Sequence, residues 1–199
     1  MLRDLDHLVF HWINSHHNAA LDVVFVSATW LCEYAVIWWT FALVALCLRD
    51  RKWKRAGLLF IVGTIVQLML FNWVFKLVWF RPRPYAVLPD VRRLGLLWVN
   101  SSFPAGHATS AFLGARVFSH FHRRWRIPLF IFAAITAVSR VYVGMHYPSD
   151  ALVGSVVGLL LAWVMLRLDA RFDLYGWVRA RLLIMRTIFG LSLRALFWK

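Results

Sequence analysis

The stretch from Ser139 to Asp150 reads SRVYVGMHYPSD and places Arg140, His146 and Asp150 between two long apolar runs. Charged and imidazole groups at the edge of an apolar segment are costly unless they are paired or put to use. The stretch is therefore both the end of one membrane helix and a candidate site. A helix beginning near Pro148 sets His146 one turn ahead of Asp150. The carboxylate can then accept a hydrogen bond from one ring nitrogen and leave the other free as a nucleophile. By itself the spacing fits a helix cap followed by a surface residue equally well.

The rest of the chain supplies the context. With 199 residues, 61% of them hydrophobic, and a mean hydropathy of +0.64, the composition excludes an ordinary soluble domain and points to one membrane-embedded unit over 1–199. The formal charge of +14 sits in clusters between apolar runs. Membrane lipids with anionic headgroups are therefore the expected partner, and nucleic acid is not. Cys32 and Cys47 lie about 22 Å apart on a continuous helix, beyond disulfide reach. No Cys/His spacing suits zinc and no acidic cluster suits magnesium, so no metal or cofactor is expected. The N-terminus has no signal-peptide pattern, and the whole chain is expected to be mature.

Residues 1–20 alternate too often to cross a membrane. Leu5, Leu8, Val9, Trp12 and Ile13 recur at helical spacing, which predicts an interfacial amphipathic helix. Residues 21–168 form the transmembrane core. Its first span runs from Leu21 to Leu48 with Glu33 inside it, and the basic loop RDRKWKR follows at 49–55. The second span runs from Ala56 to about Trp79 and stops at Arg81-Pro82-Arg83-Pro84. A polar connection over 85–103 is expected to lie over the site; its Asn100-Ser101-Ser102 matches a glycosylation acceptor and is given no role. Pro104 opens the third span to Phe121, the fourth covers 127–143, and the fifth covers 149–168 with Gly154 and Gly158 as a close-packing face. Glu33 and Arg116 are expected to pair at mid-depth. Residues 169–199 read as a basic, cytoplasmic interfacial tail.

If the spans alternate, the loop at 49–55, the turn at 122–126 and the tail share one side, all rich in Arg and Lys. The positive-inside rule makes that side cytoplasmic. Lys76, Arg83, His107, Arg140, His146 and Asp150 then lie at the other face. Arg81, Arg83, Arg92 and Arg93 run against the charge rule there, and some of them are expected to be kept for a ligand.

Three segments meet at one depth: KLVWFRPRP at 76–84, PAGH at 104–107, and SRVYVGMH with its following Asp at 139–150. The set resembles the type 2 phosphatidic acid phosphatase family, whose fold is shared with vanadium haloperoxidases. Lys76 and Arg83-Pro84 match the family's first signature, and Ser139, Arg140, His146 and Asp150 match the third. Pro104, Gly106 and His107 match the second, with Ala105 where Ser is usual. The resemblance implies an all-α integral membrane bundle with about five transmembrane helices plus the interfacial helix.

It also implies metal-independent hydrolysis of a lipid phosphate or diphosphate. His146 would be the nucleophile, held by Asp150, and would form a phosphohistidine. His107 would protonate the leaving oxygen and later activate water, while Lys76, Arg83, Arg140 and the backbone of Ala105 and Gly106 bind phosphate. Small members of the family resemble undecaprenyl diphosphate phosphatases. Undecaprenyl diphosphate is therefore the first substrate expected, ahead of phosphatidylglycerol phosphate, phosphatidic acid and lipid A phosphate. The expected place is a bacterial inner membrane with the site on the periplasmic side. The alternative from another class is a weakly active or inactive lipid-phosphate binder, because Ala105 lacks the family's hydroxyl.

Overall fold

The computed structural model describes residues 2–75 and 78–189, and the described residues are helices and their connections. The helices are α1 (Leu2–Ser15), α2 (Ala19–Leu31), α3 (Val36–Cys47), α4 (Arg51–Leu70), the short α5 (Pro84–Val87), α6 (Gly106–Phe121), α7 (Arg126–Tyr142), α8 (Pro148–Phe172) and α9 (Leu174–Phe189). Side-chain caps start two of them. Asn18 accepts from the Leu21 amide at 2.9 Å and Asp50 from the Lys52 amide at 2.8 Å. The cap at Asp50 pulls the basic segment into α4, so 51–55 is the first turn of a helix and not a loop.

The first span differs from its sequence expectation more deeply. It is two helices, α2 and α3, bent by 56° across a 3-10 turn at Glu33–Ala35. Ala35 takes a left-handed conformation (φ 57) that an L-residue adopts only at some cost. The bend carries Glu33 into the protein, where its Oε2 lies 3.4 Å from His107 Nε2 and 3.8 Å from Arg140 Nη1. The expected Glu33–Arg116 pair is therefore not formed. Arg116 lies nine residues beyond His107 on α6, about 13 Å deeper along the helix axis.

α6 is the central helix, packed against α4, α7 and α8. Glycines allow the approach: a methyl group at Gly154 would meet the Ala105 carbonyl oxygen at 2.5 Å, and one at Gly158 would collide with the Thr109 carbonyl. Gly158→Ala should therefore cost about 1–3 kcal/mol of stability, the usual range for an overpacked core. Thermal unfolding in detergent checks this, and an unchanged midpoint would mean that the α6–α8 contact is looser than described.

The bundle has two chemically distinct ends. At one, Arg55 bonds the Asp169 carboxylate, Arg51 lies 3.6 Å from Asp173, and Trp53 stacks on His122 at 3.7 Å. The start of α4, the α6–α7 turn and the end of α8 thus gather together, as the alternation of spans requires. At the other end Asn14 of α1 donates to the Arg92 and Tyr142 carbonyls at 2.9 and 2.8 Å. Arg92 pairs with Asp22 at 2.7 Å at this same end.

Three described helical segments, Arg51–Leu70, Arg123–Tyr142 and Pro148–Phe172, are long and apolar enough to cross a bilayer, and the bent α2–α3 pair makes a fourth if it counts as one span. α6, at 16 residues, falls short of that length but runs from one end of the bundle to the other inside its neighbours. α1 buries Phe10, Asp6 and Asn14 and turns Leu5, Leu8 and Trp12 outward. An apolar face directed away from the protein is what an interfacial helix needs.

Candidate active site

A cavity of about 390 Å³ opens where α2 meets α3, the α7–α8 turn meets the 98–104 loop, and α6 begins. Glu33, Arg83, Gly106, His107, Arg140 and His146 line its polar part, and Trp39, Leu68 and Phe71 supply apolar wall. His107 and His146 thus face one space, although they lie 39 positions apart in the chain. Such an apolar pocket with a few converging polar groups is the usual form of a small-ligand site.

His146 lies in the tight turn between α7 and α8. Its Nδ1 is 2.6 Å from the Ser102 carbonyl oxygen, which can only accept, so Nδ1 carries the proton and Nε2 the lone pair. Nε2 lies 3.3 Å from Arg83 Nη1. Burial, aided by the Arg83 and Arg140 guanidinium groups and opposed by Asp150, lowers the ring's pKa to about 3, so the imidazole is neutral.

Asp150 does not bond the ring directly, which corrects the sequence expectation: its Oδ2 is 3.8 Å from Nδ1. Its carboxylate instead accepts from the Ser102 hydroxyl, from the Tyr147 amide at 3.0 Å and from Arg81 Nη1 at 2.6 Å. Asp150 fixes the Ser102 segment, and the Ser102 backbone fixes the ring. Arg81 Nη2 reaches on to Asp6 of α1 at 2.6 Å, and Asp6 accepts the Ser149 amide at 2.9 Å. Sequence reasoning missed Ser102 and Asp6, since nothing in their local patterns marks them, and it marked Arg81 as a possible ligand contact where the structure has it bridging Asp150 and Asp6.

Arg83 is clamped rather than free. Its Nε and Nη2 donate to the Asn100 carbonyl and side-chain oxygen at 3.1 and 2.7 Å, and its Nη1 donates to the Met145 carbonyl at 3.0 Å. Asn100 and Ser102, part of the glycosylation pattern, hold Arg83 and His146 in place. Of the four arginines set against the charge rule, Arg81 and Arg92 are held by carboxylates and Arg93 lies over the Tyr85 ring at 5.4 Å. Arg83 alone among them lines the cavity.

Arg140 is 1% exposed, and its Nε and Nη1 have no hydrogen-bond partner among the described residues. His107 Nε2 and Glu33 Oε1 are likewise buried without one. Buried polar atoms are nearly always bonded, and guanidinium donors turned into a cavity ask for an anion.

Gly106, first residue of α6, has an amide with no intrahelical acceptor and stands on the cavity wall. Ala105 departs from expectation: its amide donates to the Asp150 carbonyl at 3.1 Å, and the residue is fully buried and off the cavity wall. The backbone that joins α6 to α8 uses the donor that was expected to serve phosphate. Lys76 lies outside the described residues.

Comparison with known proteins bears on the arrangement. The profile described as the PAP2 superfamily matches residues 56–173. The undecaprenyl-diphosphatase BcrC of Bacillus subtilis is 33% identical over 153 residues, 77% of each chain. The crystal structure of Aquifex aeolicus LpxE superposes with a TM-score of 0.68 at 29% identity, over 82% of this chain and 95% of that one. A transmembrane PAP2-type phosphatidylglycerolphosphate phosphatase from Bacillus subtilis shares the fold, with a TM-score of 0.69 at 22% identity over 86% of this chain and 87% of that one.

Proposed function

The chain belongs to the PAP2 superfamily and is a membrane lipid phosphatase, and from that premise we propose that it removes the terminal phosphate of undecaprenyl diphosphate, leaving undecaprenyl phosphate. In this reading His146 Nε2 attacks the terminal phosphorus, and the bond to the bridging oxygen breaks. His107 gives that oxygen its proton and the lipid monophosphate departs. His107 then takes a proton from water, whose oxygen attacks the phosphohistidine and frees inorganic phosphate and His146.

Arg83 and Arg140, with Lys76 and the Gly106 amide, hold the equatorial oxygens as charge spreads over them. Asp150 acts through Ser102, keeping the ring in the tautomer whose Nε2 is free. The single observation that carries the reading is the buried Arg140 guanidinium, with unpartnered donors, in one cavity with Arg83 and two imidazoles.

The gathering of basic residues at the far end of the bundle supports an orientation with that end in the cytoplasm. The site then opens to the periplasmic side of a bacterial inner membrane. The diphosphate reading leans on the resemblance to the Bacillus subtilis undecaprenyl-diphosphatase, because the site residues grip phosphate and none of them reads a lipid tail.

Phosphate release from undecaprenyl diphosphate, phosphatidylglycerol phosphate, phosphatidic acid and lipid A phosphate tests the substrate. The diphosphate should lead in kcat/KM by about tenfold, a difference of roughly 1.4 kcal/mol in barrier. A lead by another lipid replaces the substrate, and binding without release from any would favour the binder that Ala105 raised. Because Ala105 stands off the cavity wall, Ala105→Ser should change kcat/KM by less than about threefold, under 1 kcal/mol.

A further inference from the structure

We infer that Glu33 is a built-in counter-ion of the phosphate site, whose carboxylate takes the place between His107 and Arg140 that a phosphate oxygen also needs, so that an anion must displace it to bind. The inference rests on the phosphatase reading of the cavity and adds to it a means of rejecting free phosphate.

Three observations carry it. Glu33 Oε2 lies 3.4 Å from His107 Nε2 and 3.8 Å from Arg140 Nη1, against the two groups that face the proposed phosphate. Both distances are too long for good hydrogen bonds, and both nitrogens still have no hydrogen-bond partner among the described residues. A carboxylate this loosely held offsets the Arg140 charge without saturating its donors. Finally, Glu33 sits on a 3-10 turn between two helices bent by 56°, so it can be carried aside without unwinding a helix.

An acid in a site built for polyanions cannot be a binding contact. A phosphate dianion and a carboxylate a few ångströms apart repel strongly in surroundings of low dielectric. Glu33 therefore subtracts from the affinity of every phosphate by about the same amount. A lipid phosphate offsets that loss with the burial of its chain, whereas inorganic phosphate has no chain to bury. The consequence is selectivity: tail-anchored phosphate enters, and the phosphate left after turnover is pushed out by the returning carboxylate. Removing the charge should let the product linger.

The test is inhibition of lipid phosphate turnover by inorganic phosphate, paired with direct binding of inorganic phosphate to the detergent-solubilised full chain. Glu33→Gln keeps the shape and removes the charge, and should lower both the Ki and the Kd for inorganic phosphate about tenfold. Glu33→Asp, which withdraws the charge by one methylene, should lower them two- to threefold. It carries the comparison alone if the Gln protein does not fold. A Ki and Kd unchanged or raised in the variants that fold overturns the inference, even if kcat falls, because that pattern belongs to a residue acting only through His107. If the chain releases phosphate from no lipid, the phosphatase reading fails, and direct binding still decides the role of Glu33.

Discussion

Replacing His146 with alanine should lower kcat by about ten-thousand-fold, because the variant loses the atom that forms the covalent intermediate and keeps only phosphate binding. The geometry gives the ring one use. Nδ1 is committed to the Ser102 carbonyl at 2.6 Å, so only Nε2 can attack. Brief mixing with a lipid carrying labelled terminal phosphate, followed by alkaline quench, should leave label on the wild-type chain and none on His146→Ala.

His107→Ala should slow both half-reactions, and with a lipid whose leaving group needs no proton it should accumulate the labelled intermediate. Burial lowers the His146 pKa to about 3, so the nucleophile stays unprotonated as pH falls from 7 to 4. The nucleophile itself should therefore contribute no acid limb to kcat/KM in that window. Label retained by His146→Ala would remove this residue from the nucleophile's role and the mechanism with it.

The site was legible in outline because phosphate chemistry leaves a mark in sequence: His107, Arg140 and His146 are polar residues stranded beside apolar runs, and such residues are costly in a membrane. The structure brings all three to one cavity with Arg83 and Gly106. What the sequence hid is what depends on tertiary contact. Spacing of four between His146 and Asp150 predicts a direct bond, but Ser102 of the 98–104 loop comes between them, its carbonyl on the ring and its hydroxyl on the carboxylate. Asp6 lies 144 residues before Asp150, and no periodicity links the two across Arg81.

The first span illustrates the limit in the fold. Hydropathy sums to one long apolar run over 21–48, yet the buried carboxylate of Glu33 has partners on α6 and α7, and a turn at Glu33–Ala35 carries it to them. Helix propensity does not contain that attraction. The expected pairing with Arg116 failed for the same reason, since a depth estimate from sequence placed Glu33 too far along the bundle.

Arg140→Met should be the other severe substitution, and it separates stability from catalysis. The guanidinium is buried and faces Glu33, so its removal leaves a carboxylate in the interior with His107 as its remaining near neighbour. Breaking a buried pair in this way costs about 3–5 kcal/mol, much of it the penalty on the charge left behind. Turnover should fall about a thousandfold as well, because the donors aimed at developing negative charge are gone.

The double variant Arg140→Met with Glu33→Gln distinguishes the two effects. It removes the stranded charge, so the unfolding midpoint should recover most of its loss, while kcat/KM stays near that of Arg140→Met. Arg140→Lys completes the set: one ammonium replaces a planar fork with several donors, and activity should recover only in part. Two results would contradict this account. One is a double variant that regains turnover along with stability, which would make Arg140 a partner for Glu33 and nothing more. The other is a lysine variant with full activity, which would reduce the demand at this position to a point charge.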